Sequence, residues 1–314
     1  MLKRKGKAII NLLRIRQYYK NFLIFIALFF SQKLFVVSYY FPLILGFILL
    51  CISSSINYII NDIGDIEKDK EHPEKFEKKP LASGDLSITT AIVILIILIV
   101  LTIFLLLFLL PNLGFLVILI LIIITGQLYN HLFKRYAFVD ILSLSVGYIW
   151  RTLAGCVLIN TFISAWLFLA IFEVALFLVI AKRKGDLNLL KTKENAIKHK
   201  KIYNQYSQKL LDQFHILIAG SIFMTYSLYL IIKFNLFATI APELKDYISI
   251  LTIPLALYII MRFMYLTSAK PKLARRAEKA FLDKGIIVSG LILGVILFYS
   301  FYYEVIIQYI LIFF

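Results

Sequence analysis

Asp62, Asp65 and Asp69 stand three and then four residues apart in "NDIGDIEKDKEHPEKFEKKPLASG", the stretch 61–84 that follows directly on the apolar run "FPLILGFILLCISSSINYII". If that run is a helix continuing past Ile60, each residue turns it by about 100°, and the three carboxylates share one face. Ser55 and Tyr58 extend the face into the apolar run, Glu67 and Glu71 point elsewhere, and Pro73 ends the helix. Converging carboxylates repel one another unless a cation sits among them. A donor set made only of oxygen, with no His or Cys at ligand spacing, favours Mg2+, with Mn2+ as an alternative, over zinc or copper. A hard ion that keeps several waters commonly binds substrate phosphates as well. Lys75, Lys78 and Lys79 and a Ser83–Gly84 turn come next, which is what a diphosphate held between metal and cations requires. The plainer alternative is a solvated acidic helix end, with His72 beside Pro73 an ordinary loop residue.

The elements that must position these residues are membrane helices. The 314 residues are 61% hydrophobic with a mean hydropathy of +0.88, whereas soluble domains sit near half. Nine apolar runs, over 21–36, 41–60, 88–110, 113–129, 137–158, 163–181, 214–232, 248–266 and 286–302, approach the roughly 20 residues that crossing a bilayer takes. The expectation is an all-α, polytopic membrane protein with nine transmembrane helices in a single domain, 1–314. Residues 1–20 form an amphipathic N-terminal segment, interrupted by Arg14 and Arg16 and unlike a cleaved signal. The apolar tail 303–314 extends the last helix or lies at the interface. Cys51 and Cys156 both fall inside apolar runs, which leaves no disulfide framework and no cysteine metal site.

Charge sets the topology. All but five of the 34 lysines and arginines fall in the N-terminal segment or in the polar stretches 61–87, 129–136, 181–213 and 266–285. These belong on the cytoplasmic side of the cell membrane, so the catalytic loops face the cytoplasm. The net charge of +16 is chiefly this topological signal plus attraction to anionic lipid, and nucleic acid is not an expected partner.

"NDIGDIEKD" with "HPEK" and "KPLASG" resembles the first aspartate-rich motif of the UbiA superfamily of intramembrane prenyltransferases, N-D-x-x-D-x-x-x-D at the end of a second helix. Three further stretches resemble the superfamily's decaprenyl-phosphate phosphoribosyltransferase branch: "RIRQYYKN", "LYNHLFKRYAFVDILSLSVGYIWRTLAG" and "FLVIAKRKGDL". The resemblance covers most of residues 14–187. Ile15 stands for the expected Pro, Tyr18 for Trp, Lys79 for Arg and Asp186 for Glu, and Lys in place of Arg gives up bidentate phosphate geometry.

The resemblance implies a UbiA-type bundle that transfers 5-phosphoribose from 5-phosphoribosyl diphosphate to a polyprenyl phosphate. Asp62, Asp65 and Asp69 would hold Mg2+, and Asp140 would stabilise charge at the ribose. It implies substrate contacts at Arg14, Gln17, Lys20, Asn21, Tyr58, Asn61, Lys75, Lys79, Ser83, Tyr129, Lys134, Arg135, Arg151, Lys182 and Arg183. Asp140 is solitary, because Leu144 stands where aromatic prenyltransferases carry a second acidic motif, and this favours the phosphoribosyl branch. The nearest rival moves a prenyl group from its diphosphate to an aromatic acceptor. A rival of another class is a cation-coupled transporter, although such ions bind near the midplane. A homo-oligomer is left open.

Asp140, Gly147, Arg151 and Gly155 fall within roughly 80° of one helical arc. Small residues there read as close helix packing, but the aspartate and arginine do not. Arg151 lies about 16 Å beyond Asp140, and Glu173 about 13 Å in from Lys182, which makes an Arg151–Glu173 pair the expected way to avoid a lone buried charge. Lys184, Lys191, Lys193 and Lys198 read as solvated loop, and Tyr203 and Tyr206 as a cover for the site.

Overall fold

The computed structural model describes residues 2–70, 76, 78–189, 201–234, 236, 244–274 and 277–313, and every regular element among them is helical. Lys75 and Pro73 fall outside the described residues. Among the described residues, eight helices are long and apolar enough to cross a membrane, so this is a multi-pass membrane protein. The first apolar run, 21–36, is not one long helix. A 3-10 segment, Ile15–Phe25, passes into the short α-helix Ile26–Phe30. Six of the other runs form α3 Tyr40–Gly64, α5 Ile88–Phe108, α6 Leu113–His131, α7 Val139–Leu158, α8 Ala165–Leu189 and α9 Gln208–Lys233. The run 248–266 is divided between α10 Leu244–Ile250 and α11 Thr252–Ala269. The last helix, Lys284–Phe313, takes in the apolar tail.

The helix starts follow local chemistry. Ser87, Asn112 and Ser207 each accept a hydrogen bond from the backbone N–H three residues on, satisfying donors that a helix start leaves unpaired. Helix α5 carries apolar side chains all round and leaves Ile96, Ile97, Val100, Leu107 and Phe108 exposed, as suits a helix solvated by lipid.

The chain forms two compact units, residues 1–133 with 147–162, and residues 134–146 with 163–314. In the first, α1 Leu2–Leu13 buries Ala8 and Leu12 against Ile59, Ile66, Leu81, Leu86 and Ala91, which anchors the N-terminal segment over the end of α3. In the second, Ile141, Leu176, Ile180 and Leu211 pack with Tyr203 and Tyr206.

Gly155 on α7 does what small residues were expected to do. A Cβ there would lie 1.9 Å from the Ile24 carbonyl oxygen. Since the obstacle is backbone, Gly155→Val is expected to cost about 1–3 kcal/mol by forcing the 3-10 segment off the helix. Thermal unfolding in detergent, compared with wild type, checks this.

Candidate active site

Asp62 sits in the last turn of α3, and its side chain is only 2% exposed. The helix ends at Gly64, and Asp65 closes it by donating its N–H to the Asn61 carbonyl at 3.0 Å. The short helix Ile66–Lys70 then carries Asp69, also 2% exposed, back toward Asp62. The ammonium of Lys79 lies between them, 2.9 Å from Asp62 Oδ1 and bonded to Asp69 Oδ2. Arg14 donates to the same Asp62 oxygen at 2.7 Å, with its guanidinium 4.4 Å from the centre of the Tyr58 ring.

The expected trio is therefore not assembled. Asp65 lies 3.5 Å from Lys68, and no group of three potential metal ligands gathers among the described residues. Continuous helical rotation stops at Gly64, so the 100° rule no longer governs Asp65 and Asp69. Glu67 does face away, paired with Lys70. The pair that remains still fits a hard divalent ion. Its donors are all oxygen, and a monovalent cation already sits between the two carboxylates, as a metal that keeps several waters would.

The segment behind Arg14 lines up along α3. Arg14 itself adopts a left-handed backbone, φ 52°, and breaks α1 from the 3-10 segment. Tyr58 donates its hydroxyl to Gln17 Oε1 at 2.5 Å. Tyr18 and Ser55 share a hydrogen bond of 2.7 Å, and Asn21 Nδ2 donates to Cys51 Sγ at 3.2 Å. Arg151 donates from Nε to Asn21 Oδ1 at 2.7 Å and from a second nitrogen to the Gly147 carbonyl. Lys20 lies 5.9 Å from the Tyr19 ring centre and 5.8 Å from that of Tyr148. Neither Lys20 nor Arg151 takes part in a described ion pair. Of the remaining sequence candidates here, Ser83 donates to Asp85 Oδ2 at 3.1 Å within the turn at Gly84, and Tyr129 is half-buried on α6.

The second unit holds a separate polar network. Asp140, fully buried, accepts from Arg183 Nε at 2.8 Å and from the Tyr206 hydroxyl at 2.6 Å. Tyr203 donates to Asp186 at 2.6 Å. Burial and then the Asp140 bond push the Tyr206 hydroxyl well above its ordinary range, so it remains a donor at neutral pH. Lys182 is exposed and Lys134 half-buried, while Arg135 is exposed and contributes its carbonyl to Gln205.

One expectation needs correcting. Lys184 is not solvated loop: it is 8% exposed, 2.7 Å from Asp212 and 3.2 Å from Ser268, because α8 runs on to Leu189 and carries it along. Arg151 takes the partners given above, and Glu173 accepts from Ser221 and, at 3.2 Å, from Thr225. Hydroxyls one turn apart on α9 serve the carboxylate, a pattern readable in "GSIFMTY" only once α8 and α9 are known to pack together.

The chain thus combines membrane-length helices with a buried aspartate pair at the end of one of them. The sequence profile of the UbiA prenyltransferase family matches residues 21–285, and the chain belongs to that family. The decaprenyl-phosphate phosphoribosyltransferase of Mycobacterium tuberculosis is 27% identical over 185 residues, 59% of this chain and 60% of the relative. The chain thus matches less than two thirds of that relative's length. The enzyme of the same name from Corynebacterium glutamicum is 29% identical over 240 residues, 72% of this chain and 68% of its own. The fold is shared with a UbiA homologue from Archaeoglobus fulgidus solved with DMAPP and Mg2+, at a TM-score of 0.64 and 15% identity, over 94% of this chain and 98% of that one.

Proposed function

We propose that this chain transfers 5-phosphoribose from 5-phosphoribosyl 1-diphosphate to a polyprenyl phosphate, in a Mg2+-dependent reaction at the cytoplasmic face of the cell membrane. The relatives named decaprenyl-phosphate phosphoribosyltransferase support the reading. The observation that carries it is the pair Lys20 and Arg151, two cations among tyrosines with no described carboxylate partner. Cations in such a setting call for an anion. The carboxylate pair accounts for a metal-bound diphosphate, and a phosphate-bearing acceptor supplies the second anion. An aromatic acceptor without an acidic group would leave both cations uncompensated, and an aromatic acid would bring one charge where a phosphate brings up to two.

Asp62 and Asp69 are the residues that would hold Mg2+. Bound there, it would neutralise charge on the departing diphosphate and fix its orientation. Lys79 and Arg14 hold the same anion from the protein side. The bond from the ribose C1 to the diphosphate oxygen breaks, its electron pair leaving with the diphosphate, and a phosphate oxygen of the polyprenyl phosphate bonds to C1. That oxygen is already anionic, so no general base is required. Lys20, with Arg151 and Asn21 behind it, orients the acceptor phosphate. Asp140, in the second unit, is held in place by Arg183 and Tyr206.

The test is to give the purified protein Mg2+, labelled 5-phosphoribosyl diphosphate and a polyprenyl phosphate, and count label in the lipid phase. Lys20→Met is expected to raise the KM for polyprenyl phosphate about 10-fold or more, with the KM for the donor little changed, as loss of one charge-assisted contact implies. No label in lipid, together with turnover of a prenyl diphosphate and an aromatic acid, would overturn the proposal.

A further inference from the structure

We propose that Lys79, with Arg14, is a placeholder cation that makes metal uptake conditional on diphosphate, so that the aspartate pair takes Mg2+ readily only as a metal–diphosphate complex. The inference rests on the metal–diphosphate reading of this site and not on which group the diphosphate carries. Two cations already face the pair: the Lys79 ammonium lies against Asp62 and Asp69, and the Arg14 guanidinium against Asp62. Asp62 Oδ1 is spent twice, on Lys79 at 2.9 Å and on Arg14 at 2.7 Å. A divalent ion arriving alone must take these oxygens and leave two basic side chains beside a newly positive centre. The diphosphate removes that obstacle, because it brings more negative charge than the metal brings positive and becomes the partner of the displaced ammonium.

The backbone allows such an exchange. Lys79 opens a turn whose Ser83 N–H bonds the Lys79 carbonyl at 3.0 Å, and the neighbouring Leu81, Ala82 and Leu86 are buried. The main chain is pinned while the four-carbon side chain can swing from carboxylate to phosphate. Arg14 sits at the left-handed break between α1 and the 3-10 segment. Coupling between two ligands is reciprocal, so the factor by which diphosphate tightens the metal is the factor by which metal tightens diphosphate.

Protein in lipid nanodiscs is dialysed against Mn2+ with and without inorganic pyrophosphate, and bound Mn2+ is read by its EPR signal after release. Wild type is expected to bind Mn2+ about 10-fold more tightly with pyrophosphate present. Lys79→Gln is expected to bind Mn2+ alone several-fold more tightly than wild type and to lose most of the enhancement. Lys79→Arg restores it, and Arg14→Gln, which leaves the Lys79 turn untouched, falls between. Equal Mn2+ affinity in wild type with and without pyrophosphate overturns the inference, as does an unchanged Lys79→Gln. If Asp62→Asn binds Mn2+ and pyrophosphate as wild type does, the metal is not held at this pair, and the underlying reading falls with the inference. Metal binding that Asp62→Asn removes but Lys79→Gln leaves unaltered overturns the inference alone.

Discussion

Asp62→Asn is expected to lower metal-dependent transfer by about 100- to 1,000-fold, the scale on which removing one electrostatic contact to developing charge acts. The amide keeps the shape of the carboxylate and loses its charge. That charge is the shared partner of Arg14 and Lys79 and one half of the oxygen pair suited to a divalent ion. Asp69→Asn should match it, since Lys79 joins the two carboxylates. Asp65→Asn should be the mildest of the three, because that side chain stands apart beside Lys68. Initial rates at saturating Mg2+ and donor make the comparison. Rates for Asp62→Asn within a few-fold of wild type would reduce the buried pair to a structural cluster with Lys79 and Arg14.

The second large effect is on stability. Arg183→Met is expected to cost about 3–5 kcal/mol, the penalty for stranding a buried charge. Asp140 is 0% exposed and Arg183 2% exposed, so no water can take over when the guanidinium goes. The Tyr206 hydroxyl remains, but one neutral donor does not offset a full charge. The double variant Asp140→Asn with Arg183→Met should recover most of the loss, because it removes both charges together. Thermal unfolding of the two variants in one detergent separates the outcomes. A single variant that unfolds within a degree or so of wild type would show that Asp140 is not held by this pair.

Sequence spacing is a good guide while one helix lasts and a poor one across its end. It places Asp62 on the same helix as Tyr58 and Ser55, because α3 runs unbroken from Tyr40 to Gly64. It fails for Asp65, where the helix closes, and Gly64 was the visible warning, since glycine commonly ends helices. The apolar runs reveal the membrane helices, but hydropathy carries no information on hydrogen-bond spacing, so the 3-10 segment was not legible. Rise per residue gives a depth along a helix and no azimuth, so it does not choose a partner: within its own unit Arg151 bonds Asn21 and Gly147, and Glu173 bonds Ser221 and Thr225. Lys184 was read as loop because charge marks the membrane boundary and not the helix end, which lies at Leu189.

The segment Ile15–Phe25 has a mechanical consequence. With three residues per turn, Tyr18, Asn21 and Ile24 fall in phase, like teeth on a rack, and they meet Ser55, Cys51 and Gly46 in descending order along α3. The same 11 residues wound as an α-helix would be about 5 Å shorter, and each third tooth would slip by about 60°. Inserting a single residue between Tyr18 and Ile24 would rotate the far end by about 120° and disengage it. This stretch therefore tolerates exchange of side chains far better than any change in its length.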